Sequence, residues 1–73
     1  MLLVTGIDQR VMRLAAERQA RNLARRERVA CVVYNAGDLW YVRTYTEGPP
    51  AGMRESDGLY TAQNDGGAQE ITP

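Results

Sequence analysis

Seven arginines fall between Arg10 and Arg28 of a 73-residue chain that carries nine arginines, no lysine and a formal net charge of zero. Guanidinium groups grip phosphates and carboxylates through paired N–H donors, so their clustering points to recognition of an anion. A second candidate set is Leu39, Tyr41, Arg43 and Tyr45, which alternate along an aromatic and β-branched run. Alternating Tyr and Arg on an open sheet suits either base stacking or a protein-docking hot spot. The charge is strongly divided along the chain. Residues 1–30 hold the seven arginines against Asp8, Glu17 and Glu27, a surplus of four; residues 31–73 hold Arg43 and Arg54 against six acids, a deficit of four.

Groups for catalysis are scarce. The chain has no histidine, its single serine is Ser56 in a polar stretch, and its single cysteine is Cys31 in an apolar run. Neither a Ser-His nor a Cys-His pair can form, so no nucleophile has a base beside it. Asp38, Glu55, Asp57 and Asp65 sit in separate turns and loops, which specifies no paired-acid or metal site. A non-enzyme without metal or cofactor is expected. Cys31 reads as a small buried hydrophobe in a reducing compartment, which with the absence of a membrane-length apolar run leads to a cytoplasmic expectation. Met1-Leu2-Leu3-Val4 has no basic segment before it and Thr5-Gly6 directly after it, unlike a signal peptide or anchor.

The elements that must position these groups follow from periodicity. Leu2 to Val4 reads as a short strand. Asp8 to about Glu27 is rich in Ala, Arg, Leu, Glu and Gln with no Gly or Pro, and so is a helix. Asp8 caps it, or Thr5 does with Asp8 reaching back. At 100° per residue, Met12, Ala15, Ala16, Ala20 and Leu23 form an apolar stripe with Met12 and Leu23 as anchors. Arg10, Arg13, Arg21, Arg25 and Arg28 gather opposite as a partner-binding face. That face is alternatively a solvated one, since Arg13, Glu17 and Arg21 lie at i, i+4 spacing. Val29–Asn35 and Leu39–Thr46 form a hairpin around Ala36-Gly37-Asp38, with Trp40 and Val42 facing the helix and Tyr41, Arg43 and Tyr45 facing away.

The expected fold is α+β in the order β-α-β-β: one long helix on a small three-stranded antiparallel sheet. The first strand lies beside the second hairpin arm, in order 1-3-2, or else on the other side. Residues 1–57 make the single domain. Residues 58–73 form a flexible acidic tail in which only Gly58-Leu59-Tyr60-Thr61 has the makings of an edge strand.

With its lysine-free arginine helix Arg10 to Arg28, its opening Met1-Leu2-Leu3-Val4, the strand Trp40-Tyr41-Val42-Arg43-Thr44-Tyr45 and a polar tail, the chain resembles small lytic-phage transcription regulators that bind host bacterial RNA polymerase. The resemblance covers the whole chain by length and character. It implies a non-enzymatic regulator that contacts the N-terminal region of the polymerase β′ subunit and the β flap, near the RNA exit channel. Such a regulator displaces σ factor to inhibit host initiation, and promotes antitermination together with the elongation factor NusA and in contact with nascent RNA. The alternative is a small nucleic-acid-binding regulator that uses its arginine-rich helix directly.

Overall fold

A computed structural model describes residues 8–64 and, as backbone, the strand 68–70. The expected strand Leu2–Val4, and with it the 1-3-2 order, lies outside the described residues. The architecture is α+β: helix α1 (Gln9–Glu27) packs on a sheet of β1 (Cys31–Ala36), β2 (Leu39–Thr44), β3 (Tyr60–Ala62) and β4 (Ala68–Glu70). All pairings are antiparallel and the spatial order is β2-β1-β3-β4.

Helix α1 begins at an Asp8 cap, whose carboxylate accepts the Arg10 backbone N–H at 2.9 Å. This satisfies one of the donors that a helix N-terminus leaves free. The core side of α1 is the row Ala16, Ala20 and Ala24, four residues apart, with Met12 and Leu23 half-buried at its flanks and Ala15 exposed. The expected stripe is therefore rotated: small side chains occupy its centre and the two large ones its edges. Against the alanines lie Cys31, Val33, Tyr60 and Ala62, with Leu23, Trp40 and Val42 packed around them. Trp40 also donates its indole N–H to the Gln9 side chain at 2.9 Å, which ties the start of the helix to β2.

The hairpin turns at Gly37-Asp38, where Gly37 has a φ of 61°. Glycine in the first central position is the pattern of a type II′ turn, whose twist matches that of the two strands. Strand β2 stops at Thr44 rather than Thr46. The Thr44 backbone N–H and hydroxyl both donate to Glu47 Oε1, at 2.9 and 3.0 Å, and the Glu47 N–H donates back to the Thr44 hydroxyl at 3.2 Å. That reciprocal lock redirects the chain into a long connection, residues 45–58.

The connection does not hang free. Val32 and Tyr34, on the sheet face away from the helix, are only 6% and 2% exposed. A side chain added at Gly58 would meet Val32 Cγ1 at 2.6 Å and Tyr34 Cε2 at 3.7 Å, so the connection lies directly on them. Pro50 is buried as well, and Arg43 donates from Nε to the Gly48 carbonyl at 3.1 Å.

The division between a domain ending at residue 57 and a tail from 58 gives way here. Leu59 N–H donates to the Val33 carbonyl at 2.9 Å, and Tyr60 and Ala62 are core residues of a strand on the free side of β1. Ala68–Glu70 then pairs with that strand. The third strand of the described sheet is thus supplied from the C-terminal side. It overlaps the segment Gly58 to Thr61 that has the makings of an edge strand, but β3 lies between β1 and β4 rather than at the edge of a tail, and a three-residue strand needs only two inward side chains to hold its place in the sheet.

Two outcomes follow. Gly58→Ala forces a Cβ into Val32 and lifts the connection, at a cost of about 1 to 3 kcal/mol in urea-unfolding stability. Acid is the second test. Hydrogen bonds from Arg10 hold Asp8 below its ordinary value of 3.8, and those from the Thr44 backbone and hydroxyl hold Glu47 below 4.5. A carboxylate whose pKa is lowered on folding contributes stability above its unfolded value and loses it as pH falls through the lowered one. Stability should therefore decline from about pH 5 downward, and Asp8→Asn with Glu47→Gln should flatten that decline in urea midpoints measured across the range.

Candidate binding surface

The five helix-face arginines expected to act together occupy different environments. Arg10 folds back on its own cap, with Nη2 3.0 Å from Asp8 Oδ2. Arg13 is half-buried: it pairs through Nε with Glu17 Oε2 at 2.8 Å and reaches the Leu59 carbonyl at 3.4 Å. Arg21 donates from Nη1 to the Tyr60 hydroxyl at 2.8 Å, and its guanidinium carbon stands 6.0 Å from that ring's centre. Both Arg13 and Arg21 thus clasp the β3 side of the fold. Their wheel positions explain this: they lie on the flank of the helix, where a long side chain reaches over the neighbouring strand.

Arg25 and Arg28 are exposed, and with Arg18 they make no ion pair or hydrogen bond among the described residues. Arg26 is exposed too, 3.7 Å from Glu27. The free positive charge is therefore concentrated on the outer side and C-terminal end of α1. Arg18 and Arg26 belong to it although the wheel grouping left them out. The signal for Arg18 was available, since it stands opposite the Ala16–Ala20–Ala24 row once that row is taken as the core.

Arg28 ends the helix in the left-handed conformation, with φ 59° and ψ 36°. This is the position that glycine usually fills, and a side chain there costs roughly 1 kcal/mol.

On the sheet face away from the helix, Leu39 is 48% and Tyr45 62% exposed, whereas Tyr41 and Arg43 are half-buried. Residues 45–58 cover part of this face and Arg43 is spent on Gly48, so Tyr41, Arg43 and Tyr45 do not stand as a continuous open platform. Burial, then the nearby Glu55 charge, pushes the Tyr34 hydroxyl above its ordinary pKa. An open groove of about 400 Å3 runs between α1 and β2, lined by Gln19, Asn22, Leu23, Arg26 and Val42. No acid or nucleophile lines it.

Burial, reinforced by the charges of Glu47 and Glu27, also raises the pKa of the Cys31 thiol, which makes an inert core group of it. Among the described residues no cluster of His, Cys, Asp and Glu could hold a metal ion, and no helix is long and apolar enough to cross a membrane.

The division of the arginines can be measured. Arg21→Met leaves the Tyr60 hydroxyl without its donor and should lose about 1 to 2 kcal/mol of stability. Tyr60→Phe should lose a similar amount, with the double variant well short of additive. Arg18→Gln should stay within about 0.5 kcal/mol of the parent in the same urea titrations.

Comparison with protein-family models, with curated proteins and with solved structures found no match.

Proposed function

We propose that this chain is a non-enzymatic adaptor that binds host bacterial RNA polymerase near the RNA exit channel, at the N-terminal region of β′ and the β flap. There it inhibits initiation by displacing σ factor and, with NusA, favours read-through of terminators, all within the cytoplasm of an infected host. The identity of the partner comes from the resemblance of the chain to lytic-phage transcription regulators. The feature of the fold that supports a binding role is the unneutralised charge of Arg18, Arg25 and Arg28, with Arg26 beside them.

That surface fits the task. A positive face on a small rigid body is drawn to an anionic crevice and raises the rate of encounter. The helix is about 28 Å long at 1.5 Å per residue, enough to bridge two neighbouring elements of a large enzyme. Arg28 adds a further sign. A residue held in a disfavoured conformation, where glycine would sit without strain, is a mark of function when its side chain is exposed and charged.

Arg28→Gly separates stability from binding. The substitution relieves the left-handed cap and should raise stability by about 0.5 to 1 kcal/mol, while removing a charge from the surface. Capture from a lysate of a permissive host should recover polymerase core subunits with the parent chain, less with Arg28→Gly, and almost none with Arg25→Glu. Recovery of no polymerase would sink the proposal. Binding to free DNA or RNA with a log-log salt slope of about −0.9 per duplex phosphate contact would instead favour the direct nucleic-acid reading.

A further inference from the structure

The side of α1 turned away from the sheet carries Val11, Ala15, Arg18, Asn22 and Arg25, all exposed. Their spacing is 4-3-4-3, the repeat with which one helix lies along another. The first half of this seam is apolar. Val11 is 53% exposed and Leu14, beside it, 65%. The second half is cationic, because Arg18 and Arg25 have no partner within the described fold, and Arg26 flanks them with its side chain 73% exposed. A face directed only at solvent has no need of a valine and a leucine this exposed, side by side, on the same line as two free arginines.

We infer that this seam receives a single amphipathic helix of the partner protein, with aliphatic residues over Val11 and Leu14 and carboxylates over Arg18 and Arg25. The inference rests on the reading of the chain as a protein-binding adaptor and specifies what part of a partner it takes. Charge selects the occupant. A second copy of this chain would bring Arg18 onto Arg18 in a parallel pairing, and also in an antiparallel one centred on the seam, with no acid on the line to answer it. A nucleic acid would match the arginines but leave Val11 and Leu14 uncovered. An acidic amphipathic helix satisfies both halves at once. Val11 and Arg25 are about 21 Å apart along the axis, so about four helical turns of the partner, ~15 residues, span the seam, and a 21-residue peptide covers it with a turn to spare.

A synthetic 21-residue helical peptide tests this, with leucines on the seam positions of one half and glutamates on those of the other. The control has the same composition with leucine and glutamate alternating along the seam. Titrated into the isotope-labelled full chain, the segregated peptide should bind at least about tenfold more tightly than the control, with amide shifts centred on Val11, Leu14, Ala15, Arg18, Asn22 and Arg25. Val11→Ser with Leu14→Ser should weaken it at least about tenfold, while thermal unfolding stays within a few degrees of the parent because both positions are exposed. Equal binding of the two peptides, no binding of either, or shifts centred elsewhere would overturn the inference. The Val11→Ser/Leu14→Ser chain also separates the two levels. If it captures polymerase as well as the parent while Arg25→Glu does not, the helix partner is wrong and the polymerase reading stands; if the peptide binds as expected and no polymerase is captured, the reverse holds.

Discussion

The row Ala16, Ala20 and Ala24 sets the distance between helix and sheet, and the rest of the fold depends on that closeness. A chain of this size buries little surface, and here the largest fully buried side chains are Val33 and Cys31. Cores made of small groups are stable only when their layers approach tightly, since dispersion falls away over fractions of an ångström. Alanines four residues apart give the helix a smooth side, and Val33 and Cys31 fit against it. Larger groups are displaced to the margins, where Leu23, Trp40, Val42 and Tyr60 seal the edges. Tyr60 is the telling case: its ring closes the core while Arg21 holds its hydroxyl.

The same closeness divides the arginines. Residues on the flank of a helix that sits low over a sheet have a strand within reach, so Arg13 and Arg21 are drawn into hydrogen bonds with β3 and the residue preceding it. Residues on the crest have no partner among the described residues. Arg18 and Arg25 are unpaired among the described residues for that geometric reason, and Val11 and Leu14 stand exposed beside them. Positive charge that looks like one block in the sequence is therefore two populations, one that holds strand β3 in place and one that stays exposed and unpaired among the described residues. The second face of the sheet divides in a similar way. Residues 45–58 fold onto Val32 and Tyr34 and use Arg43 as a strut, while Leu39 and Tyr45 remain outside the cover.

Much of this was legible in the chain. The helix from Asp8 to Glu27 follows from composition, the hairpin from β-branched runs around Gly37-Asp38, and the inward direction of Trp40 and Val42 from alternation. The α+β class follows from their order. What escaped were features decided by tertiary contact. The helical wheel weights every apolar residue alike, so it includes Ala15, omits Ala24 and makes Met12 and Leu23 the anchors; packing favours the row Ala16, Ala20 and Ala24 because only small side chains allow the approach. Strand β3 was legible only as a possible edge strand, Gly58 to Thr61, within a tail, because Tyr60-Thr61-Ala62 is too short to show a period and lies in polar surroundings. Its place depends on the open edge of β1 and on Arg21, 39 residues away. The arginine surface was half legible: clustering showed that it existed, but which guanidiniums stay free depends on which strands lie below.

Arg28 joins these strands of reasoning. The helix must stop there, since Val29 and Ala30 carry the chain across to β1, whose first residue Cys31 is wholly buried. A sharp reversal of this kind wants a left-handed residue, and glycine would supply it without strain. The chain places an arginine there, at the negative end of the helix dipole, where a cation is favoured by a few tenths of a kcal/mol. That gain is smaller than the roughly 1 kcal/mol cost of the conformation. The dipole alone does not account for the choice; the anionic partner proposed above would, since some close charge pairs at interfaces contribute more than that difference.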